Sequence, residues 1–326
     1  MPDNSHPRNP VEADGVGPRP VMLAIAGDSA SGKTTLTNGL VEALGEERCT
    51  AICADDYHRY DRDERKTKPF TPLHPDCNYL DILGQHLELL SRGRPILKPV
   101  YDHTSGTFTR PAYVEPREFV IVEGLHPLST ELARSCFDVT VFLDPPEEIR
   151  HQWKTERDCA KRGYTREQVV ADLVRREPES EAYIRPQRGS ADIVARFAPI
   201  TTRNDPPDTP LSAELLLRPT IRHPSLSAVL NDDNRTAMHL KIVTDTDGTP
   251  TECLHVHGHA STEEARLLEK AIWAELEVEG GPPESLGLIG DDRRSEPLAI
   301  TQLILLYHLL SAVEPDQDHP RPHPVR

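Results

Sequence analysis

The chain has 326 residues, of which 37% are hydrophobic and 28% charged, and its formal net charge is −16. This composition is typical of a globular protein with a substantial core, and at about 150 residues per domain the length predicts one large or two modest domains. The excess of acidic residues disfavours binding to nucleic acid or anionic membranes, and no apolar run approaches the ~20 residues of a membrane span.

Both ends of the chain are predicted to lie outside the folded part. Residues 1–19 and 314–326 are polar and rich in proline, a composition that predicts disorder. The first segment lacks the apolar stretch of a signal peptide, and the six cysteines have no C-x-x-C spacing. We therefore expect a cytoplasmic protein without a disulfide framework or a zinc–cysteine site.

The first predicted strand, VMLAIA at 21–26, leads directly into GDSASGKTT and then into the helix-compatible TLTNGLVEAL. Gly27, Gly32, Lys33 and Thr34 complete the pattern G-x-x-x-x-G-K-[ST]. Between a strand and a helix, such a loop wraps phosphates with backbone amides, its lysine reaches the terminal phosphates, and its hydroxyl binds Mg²⁺. The pattern predicts a nucleoside triphosphate site formed by Gly27, Asp28, Ser29, Ala30, Ser31, Gly32, Lys33, Thr34 and Thr35.

The second predicted strand, TAICA at 50–54, ends in two aspartates. Asp55 and Asp56 leave the strand where a hydroxyl-bearing acceptor would lie beside the γ-phosphate. A carboxylate there can accept the hydroxyl proton during phosphoryl transfer. Either aspartate is therefore a candidate general base.

Cationic residues follow these aspartates. His58 and Arg62 are donors suited to a phosphate group that the acceptor already carries. Arg65 and Lys66 are instead interpreted as part of a charged loop in solvent.

A helix is predicted at 80–93, and two further strands at 119–122 (FVIV) and 139–143 (VTVFL). FVIV ends in Glu123 and a glycine, where a parallel strand would deliver a carboxylate to Mg²⁺ or its water shell. A strand that ends in Glu-Gly is common, so a structural role for Glu123 is an equal alternative.

Residues 147–162 are predicted to form a helix with one strongly basic face. Lys154, Arg157, Asp158, Lys161 and Arg162 fall at i, i+3, i+4, i+7 and i+8. A solvated surface helix also carries such charges, but it less readily gathers the cations on one stripe. The pattern favours a lid over phosphates.

After PPDTP at 206–210 the pattern changes to three predicted strands, ELLLRPTIRH, AMHLKIVTD and TECLHVHGH, the last two joined by the turn TDGTP. Helices are predicted at 261–277 and 296–313. The order of elements predicts an α/β fold: a P-loop kinase core at 20–205 with a mostly parallel sheet covered by helices, and a C-terminal α+β extension with antiparallel strands at 206–313 that packs on it. The alternate histidines of HVHGH, 255–259, are interpreted as structural.

These stretches together resemble the phosphoribulokinase/uridine kinase family of P-loop kinases, and within it the phosphoribulokinases of plants and cyanobacteria. The resemblance extends from residue 20 to about 313 and is weaker in the C-terminal third. It is carried by GDSASGKTT, DDYHRYDR, LHPDCNYLD, KPVYDHTSG, VIVEGLHP, WKTERDCAKRG and AYIRPQRGSAD. It implies transfer of the γ-phosphoryl of MgATP to the 1-hydroxyl of ribulose 5-phosphate, in a homodimer.

The resemblance also implies roles for individual residues. Asp55 becomes the general base, Lys33 and Thr34 the ATP–Mg²⁺ pair, and Glu123 the second acidic group near the metal. Lys154, Arg157 and Asp158 become catalytic, the two cations facing phosphates. The residues implied in binding the sugar phosphate are His58, Arg62, Tyr101, His103, Arg162 and Arg175.

One departure concerns redox control. Plant relatives carry a cysteine where this loop has Ser31, so half of their regulatory disulfide is missing, and Cys53 is left without that partner.

Two other functions stay open. A uridine or cytidine kinase would share the phosphate loop and the basic helix, although a nucleoside carries no phosphate for His58 and Arg62. A P-loop regulatory protein without turnover is an alternative of a different class. The intact set of lysine, base and metal ligand disfavours it.

Overall fold

The computed structural model describes residues 18–200, 209–226, 230, 238–276, 280–289 and 293–313. The predicted disordered ends, apart from residues 18 and 19, and the predicted boundary at 205–206 lie outside these ranges. The helices are Lys33–Leu44 (α1), Arg62–Arg65 (α2), Leu80–Ser91 (α3), Glu131–Arg134 (α4), Glu147–Arg162 (α5), Arg166–Glu179 (α6), Thr262–Ala274 (α7) and Glu296–Ser311 (α8). The strands are Val21–Gly27 (β1), Cys49–Cys53 (β2), Ile96–Lys98 (β3), Tyr101–Asp102 (β4), Thr107–Phe108 (β5), Ala112–Val114 (β6), Phe119–Gly124 (β7), Val139–Leu143 (β8), Ile193–Ala198 (β9), Ser212–Leu217 (β10), Met238–Thr244 (β11), Pro250–Val256 (β12), Leu288–Ile289 (β13) and Arg293–Arg294 (β14).

The described residues form an eight-stranded sheet in the order β11-β12-β10-β9-β8-β1-β7-β2. The strands β2, β7, β1, β8 and β9 run parallel to one another. The strands β10, β12 and β11 then add antiparallel beside β9. The predicted α/β fold with a mostly parallel sheet and antiparallel C-terminal strands is confirmed, and those strands continue the same sheet.

Strand β1, the middle one of the five parallel strands, is buried on both faces, which explains why VMLAIA is apolar at every position. Val21, Leu23 and Ile25 belong to an apolar cluster that includes α1, α7 and α8. Met22 and Ala24 belong to the opposite cluster, which includes α3. Because β1 and β7 both end at the same edge of the sheet, the segments that follow them are held close together.

The last helix, α8, is buried from Glu296 to Leu309. It packs against α1, α7 and β10. A helix that is apolar all round belongs inside a protein core, and α8 shares one cluster with β1. The C-terminal elements are therefore built into the core that supports the phosphate loop. No helix among the described residues is long and apolar enough to cross a bilayer.

The structure differs from the predicted elements in several places. The predicted strand ELLLRPTIRH ends at Leu217, because Pro219 lacks an amide hydrogen and the Arg218 guanidinium turns to Asp245, 2.7 Å away. Helix α6, strand β9 and the short strands β3 to β6 are absent from the predicted elements. The predicted turn between β11 and β12 is confirmed, with Gly248 at φ 88°.

Candidate active site

The phosphate loop joins β1 to α1. Gly27, with φ 152°, has no room for a side chain, since a Cβ there would lie 2.8 Å from the Leu143 carbonyl oxygen. Gly32, with φ 97°, precedes α1 without a side-chain cap, so the first amides of the helix remain available to an anion. The Lys33 ammonium donates to the carbonyl oxygens of Gly27 (3.0 Å) and Asp28 (2.8 Å). The backbone of this loop fits a phosphate chain.

The side chain of Asp28 has a different role. Its carboxylate accepts hydrogen bonds from Ser29 N and Ser180 Oγ and lies 3.2 Å from Arg150 Nη1. Arg150 in turn lies 3.4 Å from Glu177 Oε2. This buried network links the phosphate loop to the end of α6, and Asp28 can meet a nucleotide only through its backbone. Neither Arg150 nor Ser180 stands out in the sequence as a site residue.

The two aspartates after β2 are separated by their contacts. Asp55 Oδ1 accepts a 2.9 Å hydrogen bond from the amide of Leu125, just beyond β7. Burial opposes ionisation of Asp55, but the positive charge of Lys33 and the Leu125 amide hold its pKa below the ordinary value. Asp56 is instead tied to Lys98 Nζ and to the amide of Tyr101. Asp55 is therefore the ionised carboxylate that faces the cleft, and Asp56 supports the fold.

Thr34 and Glu123 form the predicted metal-binding pair. The Thr34 hydroxyl donates to Glu123 Oε1 at 3.0 Å. Burial raises the pKa of Glu123 despite the nearby Lys33 charge, so a cation would stabilise the ionised form. A hydroxyl and a carboxylate oxygen are ligands that Mg²⁺ prefers. The two side chains fit that ion.

The part of the cleft that is predicted to bind the acceptor contains His58, Arg62, Tyr101 and His103. His58 Nδ1 lies 2.7 Å from Asn78 Oδ1, and its ring packs edge-on against Tyr101. Burial lowers the pKa of His58 to about 4, so this side chain is neutral at pH 7. The Arg62 guanidinium donates to the carbonyl oxygens of His103 (2.5 Å) and Thr104 (3.2 Å).

The interpretation of Arg65 as a solvent residue is wrong. Its guanidinium donates to the Tyr101 hydroxyl at 2.5 Å and lies 5.0 Å from the centre of that ring. Tyr101 is far away in sequence, so no local pattern indicates this position. Lys66 is exposed, as expected, and pairs with Asp63 at 2.6 Å.

On α5 and α6 the cations surround two carboxylates. Lys154 Nζ lies 2.8 Å from Asp158 and 3.2 Å from Asp172, with 3% of its side chain exposed. The Lys154 ammonium is thus buried between these acids, and its contact with phosphates stays a prediction. The basic face predicted for α5 contains one acid, Asp158, and α6 supplies the second, Asp172.

Arg157 and Arg162 lie on the same helix. Arg157 donates to Asp158 (2.8 Å) and reaches Ser29 Oγ of the phosphate loop (3.4 Å). Arg162 lies 3.4 Å from Asp158. Arg175, on α6, is more exposed and lies 3.3 Å from Asp172. Burial opposes ionisation of Asp158, but its bonds from Arg157 and Lys154 hold its pKa below the ordinary value.

One cavity of about 1980 Å³ joins these parts. All the predicted site residues line it except Gly27 and Asp28. Single-ligand pockets are usually about 300–1,000 Å³, so this cleft has room for two substrates. The structure thus brings the phosphate loop, the carboxylates and the cationic side chains into one cavity.

The histidines of HVHGH lie elsewhere, on and beyond β12. His255 stacks on His239 of β11 with ring centres 4.7 Å apart, and His257 stacks on His259 at 5.2 Å. Within the described residues these rings do not supply three ligand atoms close enough together to hold a metal ion. Their structural interpretation stays a prediction.

Comparison with known proteins places these motifs in context. Residues 22–202 match the model of the phosphoribulokinase/uridine kinase family. The phosphoribulokinase of Synechocystis sp. is 42% identical over 181 residues, which cover 56% of this chain and 54% of that protein. The chloroplastic phosphoribulokinase of Spinacia oleracea is 32% identical over 196 residues, covering 55% of this chain and 49% of that protein. The chain therefore spans about half the length of these two phosphoribulokinases.

Other relatives widen this comparison. A uridine kinase of Geobacillus sp. is 31% identical over 187 residues, covering 55% of this chain and 87% of that protein. The solved phosphoribulokinase structure from Rhodobacter spheroides superposes with a TM-score of 0.56 at 18% identity, covering 77% of this chain and 94% of that one. At this identity the superposition supports the fold alone.

Proposed function

Because the chain belongs to the phosphoribulokinase/uridine kinase family, we propose that it transfers the γ-phosphoryl group of MgATP to the 1-hydroxyl of D-ribulose 5-phosphate. The products are ribulose 1,5-bisphosphate and ADP. The observation that carries the proposal is the position of Asp55. This ionised carboxylate, bound to the Leu125 amide, lines the same cavity as the phosphate loop and the cationic acceptor end.

Each part of the reaction falls to residues in this cleft. The loop amides and Lys33 would hold the phosphates of ATP, and Thr34 and Glu123 would hold Mg²⁺, which would neutralise charge on those phosphates. Asp55 accepts the proton of the 1-hydroxyl while the oxygen of that hydroxyl attacks the γ-phosphorus. The bond between this phosphorus and the oxygen that leaves with ADP breaks. Arg157, bound to Asp158, lies where it can stabilise charge on the transferred group.

The acceptor end accounts for the choice of a sugar phosphate. Arg62 and Arg65 are fixed by Tyr101 and the backbone after it, and their guanidinium groups can bind the 5-phosphate. His58 is neutral there, so it would donate or accept a hydrogen bond rather than supply charge. The 5-phosphate is unchanged by the reaction, so the contacts that hold it should be the same in the ground state and in the transition state.

A uridine or cytidine kinase is the second candidate. The observation that favours it is the aromatic group of His58, Tyr101 and His103, where ring centres 5.0 Å apart could pack against a base. The two arginines beside it favour a phosphate instead. Release of ADP, measured with ribulose 5-phosphate, with uridine and without acceptor, separates the two kinases, and equal slow release in all three would favour the protein without turnover.

The proposal includes the cellular compartment of the enzyme and its oligomeric state. All six cysteines are unpaired, which supports a reducing cytoplasm. The homodimer implied by the family remains a prediction.

A further inference from the structure

A second group of possible metal ligands lies outside the cleft, where α5 begins and α6 ends. Glu147, His151 and Glu177 each offer one ligand atom, and these atoms lie within 4.8 Å of one another. Glu147 and His151 are one turn apart on α5, and Glu177 lies in the last turn of α6. This is the one such group of three among the described parts of the chain.

The contact between His151 and Glu147 has the geometry of two ligands of one ion. His151 Nε2 lies 3.4 Å from Glu147 Oε1. This ring nitrogen is shielded from solvent and has no hydrogen-bond partner. Two ligands bound to a tetrahedral ion at about 2.0–2.1 Å are separated by roughly 3.4 Å. An ion between them would satisfy the buried nitrogen, which the 3.4 Å contact does not.

Glu177 is already oriented by two cations of the chain. Arg185 donates to its Oε1, and Arg150 Nη2 lies 3.4 Å from its Oε2. A carboxylate has about four lone-pair positions, so these bonds leave room for a metal. Carboxylates that bind metals are themselves usually held by such outer hydrogen bonds. The arginines also offset the charge of the two glutamates.

We propose that Glu147, His151 and Glu177 form a binding site for a first-row transition-metal ion of the zinc class. One imidazole and two carboxylates suit Zn²⁺, Co²⁺ or Mn²⁺ better than Mg²⁺, which prefers oxygen ligands alone. The neighbouring cavity, lined by Glu147 and His151, gives an ion access from solvent.

The position of the site indicates its effect. α5 and α6 are joined at one end by the turn at Gly163, and the three ligands lie at the open end. A bound ion would therefore fix the two helices that carry Lys154, Arg157, Arg162 and Arg175. The site is independent of the proposed reaction and binds its ion whether or not the chain is a kinase.

The test is a titration of the whole protein with Co²⁺ and with Zn²⁺ in saturating Mg²⁺, followed by calorimetry and by the absorption of bound Co²⁺. We expect one ion per chain, weak Co²⁺ bands without intense thiolate charge transfer, and a rise in Tm with metal. His151→Ala should weaken binding by at least about 10–100-fold and abolish the rise.

Two further variants keep the result clear. Glu147→Gln changes a half-exposed residue at the start of α5, so it should fold normally, keep the metal-free Tm and lose affinity. His239→Ala removes part of the other histidine group and should bind metal like the unmodified protein. The proposal is overturned if no ion binds stoichiometrically, if His151→Ala binds as tightly, or if His239→Ala alone loses the ion.

Discussion

The amide of Leu125 donates a 2.9 Å hydrogen bond to Asp55 Oδ1, joining the ends of two parallel strands across 70 residues of chain. This bond fixes a carboxylate whose pKa lies below its ordinary value in the cleft. We expect Asp55→Asn to lower kcat by about 10²–10⁴ with little change in ATP affinity, because a general base acts only in the chemical step. Steady-state kinetics with ribulose 5-phosphate and nucleotide-binding titrations measure both quantities.

Asp56→Asn is the matched control for that substitution. It removes the partner of a buried lysine, so we expect it to lower the free energy of unfolding by about 3 kcal/mol while the folded fraction keeps its kcat. If Asp55→Asn retained its kcat and Asp56→Asn lost it, the assignments of base and structural partner would be reversed.

A second prediction concerns Glu123 and its 3.0 Å contact with Thr34. Glu123→Gln removes the charge but keeps the shape, so the Mg²⁺ concentration for half-maximal activity should rise by about 10-fold or more. Thr34→Ser keeps the hydroxyl and should stay near the unmodified value. An unchanged Mg²⁺ requirement in Glu123→Gln would favour the purely structural role of this glutamate.

A third prediction compares two neighbours of equal charge. Arg65 contacts Tyr101, whereas Lys66, which also lines the cleft, is exposed and pairs with Asp63. A hydrogen bond to a charged group contributes about 1.5–3 kcal/mol, so Arg65→Met should raise KM for ribulose 5-phosphate by roughly 10–100-fold. Lys66→Met should leave it unchanged. Equal effects from the two substitutions would indicate a general charge effect and contradict a phosphate contact at Arg65.

The same pair shows why the sequence predicts some features and misses others. The phosphate loop is local, since a strand, nine residues and a helix contain all its parts, and its pattern predicts both fold and ligand. Arg65 and Lys66 look alike in sequence, and their difference depends on Tyr101, which lies in β4, 36 residues from Arg65. Asp172 is missed for the same reason, because α6 must fold back on α5 before this carboxylate meets Lys154.

A fourth prediction concerns the stability of the fold at mildly acid pH. His308 is buried in α8, 3.1 Å from a ring nitrogen of His223, and burial lowers its pKa to about 3. The unfolded chain binds this proton near pH 6.5 and the folded chain does not. The contribution of His308 to the free energy of unfolding is therefore fully present above pH 6.5 and is lost progressively as the pH falls below that value. Between pH 7 and pH 5 this histidine alone should cost about 2 kcal/mol.

The measurement is chemical unfolding at pH 7 and pH 5 for the unmodified protein and for His308→Gln. The loss in the free energy of unfolding between pH 7 and pH 5 should be smaller by about 2 kcal/mol in the variant, whatever the variant's own stability at pH 7. Equal differences in the two proteins would mean that His308 is not the group that takes up the proton.

The last prediction is that activity does not respond to thiol redox state. Burial and the charge of Asp55 raise the pKa of Cys53 well above its ordinary value, so little of the reactive thiolate forms. Cys49 lies on the same extended strand, at a Cα distance of about 13 Å, well beyond the ~7 Å that a disulfide spans. Ser31 stands where plant relatives have the partner cysteine. Activity should therefore be the same after incubation with oxidised or reduced dithiothreitol.

Cys159 is exposed, so the assay uses Cys159→Ser to remove adventitious oxidation. A reversible, severalfold loss that persists in Cys159→Ser and disappears when Cys53→Ser is added would show that Cys53 has a partner in the oxidised protein.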